Sequence, residues 1–247
     1  MPASRPRSRR DRPAKAALSR EAIIDAGLEI LRKEGIDALS MRRVAQALDT
    51  GPASLYVYVA NRDELHAVLF DAAVGTIEIE ETEPKRWREQ LHDLITRMCT
   101  MMADEFPGIA IMGMATIPTG DNVLRVTESM MSLLRAGGAS DQAIAYAADL
   151  LSLYATSIAY EQSLHQTRFD DEAHEQREIA RVMQRFSTIS ADRYPTMASV
   201  APLMVRGDGH ERFALGLDVI INGLLSTPTE DRLSEHAWEL PGPEEQH

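Results

Sequence analysis

Seven histidines, one cysteine and a scatter of carboxylates are the residues of this chain that could do covalent or metal chemistry. Their spacing argues against it. The histidines show no HExxH or similar ligand pattern, and Cys99 has no metal partner in the sequence. The sequence also lacks a phosphate loop, a dinucleotide fingerprint and a nucleophile elbow, so no catalytic residue, cofactor or metal is expected. Asp149 interrupts an apolar helical run, where a lone charge is costly unless paired or hydrogen-bonded. Pairing with an arginine such as Arg97 or Arg125 and a place in a pocket wall are both open. Met98, Met101, Met102, Met112, Met114, Met130 and Met131 fall close together. Methionine is flexible and polarizable, suited to a cavity that adapts around a greasy ligand; ordinary core is the alternative. The expected pocket lining is Met98, Met102, Met112, Met114, Met130, Asp149, Tyr154 and Ile158.

A second kind of chemistry is recognition, and its residues lie between Leu39 and Asn61. Met41, Val44, Ala45 and Leu48 recur at helical spacing, with Ser40 placed to cap the first turn. Asp49, Thr50 and Gly51 break that helix, because Asp and Gly tolerate the backbone of a sharp turn. Pro52 restarts it, since proline suits the first helical position, and Leu55 and Val59 share one face of the second short helix. The pattern is a helix-turn-helix.

Charge distribution agrees. The net charge is −12, but residues 1–62 hold 12 Lys/Arg and 7 Asp/Glu, or +5, and the other 185 hold 14 and 31, or −17. A basic head on an acidic body lets one end approach a polyanion while the rest resists non-specific sticking. Residues 1–17, with Arg5, Arg7, Arg9, Arg10, Arg12 and Lys15, are expected to be a disordered arm that reaches phosphates or the minor groove. A solvated tail is the bland alternative.

The motif resembles the DNA-binding segment of the tetracycline-repressor (TetR) family of ligand-controlled transcriptional regulators. The likeness rests on Ala45-Gln46-Ala47-Leu48, on Pro52-Ala53-Ser54-Leu55-Tyr56, and on Asn61-Arg62-Asp63-Glu64-Leu65. It covers about residues 18 to 72, and a weaker likeness to the tetracycline-repressor-type C-terminal half continues to about Ser226. Asp49 stands where members usually carry Gly, and Val57 stands where many carry a basic or aromatic residue. By motif position, Arg42 is the candidate for direct base reading. Pro52, Ala53 and Val57 offer apolar contact, and Ser40, Ser54, Tyr56, Tyr58 and Arg62 are placed as phosphate contacts. Tyr56 has an alternative role in packing the head. The tetracycline repressor binds a magnesium-chelated drug, but its ligand contacts do not map here one by one, so neither drug nor metal carries over.

These residues need an all-α scaffold to position them: a three-helix helix-turn-helix head and a larger helical ligand-binding and dimerisation domain. The expected divisions are an arm at 1–17, the head at 18–64, the body at 65–226 and an acidic disordered tail at 227–247. Ser19 opens the first helix and Gly35 closes it. Asn61 caps a lever helix that joins head to body and carries His66, read as structural or ligand-sensing. Helices are predicted over about 85–104, 109–117, 121–136, 140–167, 172–189 and 211–225, with Tyr194 to Asp208 as loop. Stripes on the fourth and last of these helices, Ala143, Ala147, Leu151 and Phe213, Leu217, Ile220, Ile221, Leu224, are expected to form the homodimer interface. The resemblance implies this four-helix pairing; burial within one subunit is the alternative. Glu161, Gln162 and His165 could supply polar contacts.

The sequence therefore reads as a cytoplasmic, homodimeric regulator, with no membrane segment. It would bind a double-stranded, pseudo-palindromic operator as a repressor and be released by a small, largely apolar effector. A sequence-tolerant nucleoid protein and a helical enzyme are the other classes it leaves open.

Overall fold

The computed structural model describes residues 18–115, 119–168, 172–204 and 208–226; the expected arm and acidic tail lie outside them. The described chain is helical throughout, without a strand. Three helices make the head: α1 (Arg20–Glu34), α2 (Met41–Ala47) and α3 (Pro52–Leu55). Their starts follow the sequence signals. Ser19 accepts from the Ala22 N–H and Ser40 from the Arg43 N–H, each at 3.1 Å. Such a cap stabilises a helix by about 1 kcal/mol. Asp49 makes the turn with φ at 49°, the left-handed backbone that aspartate tolerates better than most residues. Ile23, Leu31, Val44, Leu55 and Val59 are buried and tie the three helices together.

α4 (Arg62–Val74) leaves the head without a break and runs into the body, packing on α1 at one end and on α6 and α7 at the other. Asn61 caps it at Glu64 N–H, and the Glu64 carboxylate returns to Ala60 N–H at 2.6 Å. The body comprises α5 (Trp87–Thr100), α6 (Ala110–Ala115), α7 (Asp121–Ala136), α8 (Asp141–Arg168), α9 (Glu172–Ser187), α10 (Pro195–Met204) and α11 (Gly209–Ser226). A single wide turn of π-helix, Met101–Glu105, extends α5. α5, α7 and α11 pack around α8, which is the axis of the body.

Two expectations need correction. Tyr194 to Asp208 is not loop throughout: Pro195 occupies a first helical position, where it needs no donor, and α10 follows. The stripe assigned to the dimer interface is also turned inward. Ala143, Ala147, Leu151, Phe213, Leu217, Ile221 and Leu224 are all buried inside one subunit, and Ile220 is half-buried. That stripe is where α8 meets α11, with Tyr154 stacked on Phe213 at 5.6 Å and donating its hydroxyl to the Phe213 carbonyl at 3.1 Å. The most regular apolar face went to the subunit's own core.

Candidate nucleic-acid interface and its link to the body

The helix-turn-helix divides its residues cleanly between core and surface. Leu55 and Val59 are buried, while Pro52, Ala53, Ser54, Tyr56 and Val57 point outward, Val57 with 82% of its surface exposed. Ser40, Arg42 and Arg62 are exposed on the same head. An open cleft of about 570 Å³ runs between α2 and the start of α3, lined by Arg42, Gln46, Asp49, Thr50, Gly51 and Pro52. Arg42 forms no ion pair with a described residue, whereas its neighbour Arg43 is held by a two-pronged contact with Glu34. That difference separates a guanidinium available to a ligand from one committed to the fold. Gln46 and Thr50 were missed by position-by-position transfer, although Gln46 lies one helical turn beyond Arg42 on the same face.

Tyr58 differs from the other candidates. It is half-buried and donates its hydroxyl to the Leu18 carbonyl at 2.7 Å, so it staples the entry of α1 to the end of the motif. This places Tyr58 in the head's own framework. Arg62 reaches back along α4 to His66, with Nε donating to Nε2 at 3.3 Å. Burial, together with the Arg62 charge, holds the His66 imidazole below its ordinary value.

Several close contacts connect this head to the body. The Ile36 side chain sits directly over Gly108, where φ is 87° and any Cβ would lie 2.4 Å from it. Arg32 lies over the ring of fully buried Phe106, 4.5 Å from its centroid. At the far end of α4, Asp71 caps α7, accepting from the Asn122 and Val123 N–H groups at 3.0 and 3.1 Å. Gly120 gives it room: a Cβ there would meet the carboxylate. Arg125 returns the contact, donating to the Ile77 carbonyl just past the end of α4 at 3.2 Å. A carboxylate at one helix's N-terminus and a guanidinium just past the other's C-terminus both oppose the local helix dipoles.

Within the body, the proposed pocket residues separate. Met102, Met112 and Met130 are buried together with Met101, and Met98, Tyr154 and Ile158 pack against this cluster. Met114 and Asp149 do not belong to it, because both are exposed. Asp149 also lacks the suggested partners: Arg97 is taken by Glu80 at 2.6 Å and Arg125 by the α4 end. The costly buried carboxylate expected from the sequence does not arise. Thr156, overlooked in the sequence, is buried with its hydroxyl 3.9 Å from the Met102 sulfur. Cys99 lies nearby, its thiol 3.8 Å from Gln162 Oε1, and burial pushes it up to about 11, so it stays protonated. The side chain of His165 is outside the described residues.

A helix-turn-helix whose Arg42 has no ionic partner among the described residues, latched through α4 to a helical body, defines a DNA-binding regulator. Residues 23–68 match the family of bacterial regulatory proteins named for tetR, and residues 81–227 match the tetracyclin repressor-like C-terminal domain. Apo ActR from Streptomyces coelicolor is similar over 85% of this chain and 98% of its own, at 38% identity and a TM-score of 0.74. ActR in complex with actinorhodin gives 37% identity, the same coverage and a TM-score of 0.75. A curated relative, the HTH-type transcriptional repressor DrrR1 of Streptomyces coeruleorubidus, is 27% identical over 87% of this chain and 80% of its own length. The chain belongs to the tetR family. It is a ligand-responsive, DNA-binding transcriptional regulator that works as a homodimer.

Proposed function

We propose that this regulator is a cytoplasmic repressor that holds a pseudo-palindromic operator and leaves it when a small, largely apolar molecule enters the body. The observation that carries the DNA half is the exposed α2–α3 face, where Arg42 has no ionic partner among the described residues while its neighbour Arg43 is paired with Glu34. Arg42 reads a guanine, and Pro52, Ala53 and Val57 meet base methyls. Ser40, Ser54, Tyr56 and Arg62 position the head on phosphates. The repressor name of DrrR1 and the complexes of ActR with actinorhodin and with (S)-DNPA favour repression and a small-molecule effector.

The twofold is supplied by an exposed face that shares only Leu150 with the apolar stripes the sequence pointed to. Tyr146, Leu150 and Leu153 on α8 and Leu215 and Val219 on α11 are each about half or more exposed in the single chain. Pairing that face with its copy sets two recognition helices on one side of the dimer, as palindromic recognition requires. The effector site is the Met101, Met102, Met112 and Met130 cluster, with Met98, Thr156 and Ile158 at its edge. A ligand there acts by preferring one arrangement of α6 and α7, which the Asp71 and Arg125 contacts pass to α4.

Footprinting on the DNA flanking the protein's own gene, at about 150 mM salt, tests this beside Arg42→Ala. One twofold-symmetric protected site, lost in the variant, is the expected result. Uniform protection equal in both proteins would overturn specific reading.

A further inference from the structure

The second helix of the motif is short of base readers. α3 and the turn after it present Pro52, Ala53, Ser54, Tyr56 and Val57, none of which can make a paired hydrogen bond to one base. Two side chains that can lie on α2. Arg42 and Gln46 are four residues apart, so they share one face, and both are exposed along the same cleft. Arg43 and Asn61 are already engaged, by Glu34 and by the Glu64 N–H. The Gln46 amide has no hydrogen-bond partner among the described residues, so its donor and its acceptor are both open.

We infer that Gln46 is a second base reader, pairing with adenine N6 and N7 close to the guanine assigned to Arg42. A side-chain amide carries the acceptor and donor that adenine's major-groove edge requires. Asp49 argues against a phosphate in that place. Its carboxylate lines the same cleft and repels a backbone anion, whereas a base edge is uncharged. Four residues of helix advance by about 6 Å and stacked nucleotides by about 3.4 Å each, so the adenine falls within about two base pairs of the guanine. The inference rests on Arg42 facing the operator's bases, as proposed above.

The test is selection from a random duplex pool with the full-length protein, followed by competitive titration. Wild type should enrich half-sites holding a guanine and an adenine at that spacing. Gln46→Ala should keep the guanine and lose the adenine, its preference over other bases falling by about 5- to 150-fold. Gln46→Glu should move the preference at that position to cytosine, whose amino group donates to a carboxylate. A role in shaping the helix alone would not rewrite a base preference. A wild-type motif without that adenine overturns the inference. So does a motif unchanged in both variants, whether affinity falls uniformly or not at all. Arg42→Ala separates the two readings: if its guanine survives while Gln46→Ala still loses the adenine, only Arg42 is misassigned. A wild-type protein that enriches no sequence removes both.

Discussion

The two outward faces of this chain are made of opposite materials. On the head, Pro52, Ala53, Ser54, Tyr56 and Arg42 put small, polar and cationic groups over buried Leu55 and Val59. On the body, Tyr146, Leu150, Leu153, Leu215 and Val219 leave apolar surface bare. The first suits a polyanion, which is bound through charge and read through base edges; the second suits a protein surface that excludes water. The difference teaches a division of labour: affinity per head comes from one face, and the pairing of heads from the other. Breaking the body face should therefore cost more on DNA than any head contact. Leu150→Glu with Val219→Glu should give a sedimenting monomer. Operator affinity should fall about 10²- to 10⁴-fold, the range lost when two linked sites act separately. Full dimerisation of this variant would show that the exposed stripe is not the interface.

The comparison sharpens on Arg42. Its loss should cost about 1–3 kcal/mol of operator binding, the worth of one bidentate base contact. Binding to random DNA should change little, and the variant should stay dimeric. Arg43→Ala serves as the contrast. It breaks the Glu34 pair, an exposed contact, so its effect on sequence preference should be small. Competitive titration against specific and random duplexes measures both. Equal losses for the two arginines would remove the distinction between a reading and a structural guanidinium.

The head was legible because its signals are local. Ser19, Ser40 and Asn61 each cap the helix they precede, and Asp49 takes the left-handed turn in place of glycine. Caps and turns depend on residues three or four positions apart, which a sequence displays directly. The body depends on contacts across the chain. On α8 both stripes are apolar, and nothing local says which meets α11 and which meets another copy. Leu151 went to the core and Leu150, its neighbour, stayed outside. Asp149 looked buried because Leu150 and Leu151 follow it, but it shares the outer side with Leu150. Methionine clustering found the core of the body and overshot at Met114, where α6 turns outward. The Asp71 cap on α7 spans 51 residues and left no local trace.

That cap is the joint between the two regions. Asp71→Ala should remove about 1 kcal/mol of helix capping and lower operator affinity severalfold by loosening α4. Arg125→Ala should act in the same direction and more weakly, being exposed. Because both contacts hold one junction, their effects on thermal stability should be less than additive, by about 0.5 kcal/mol or more in a double-mutant cycle. Strict additivity, with operator affinity unchanged, would mean that α4 is held elsewhere and that the head is not steered from α7.

The smallest effect belongs to His66, on the head's side of the same lever. Burial is the leading cause of its lowered value, and the Arg62 charge adds to it. The folded state therefore disfavours a proton that the unfolded chain takes up near 6.5. The stability linked to this group is complete above that point and is lost as pH falls through it toward the folded value. His66→Gln carries no titrating ring, so its melting temperature should fall less steeply below about pH 6.5. Above that pH the wild-type and variant profiles should run parallel. Parallel profiles on the acid side as well would mean that the ring is hydrated in solution. In that case His66 would add no pH dependence to the joint between head and body.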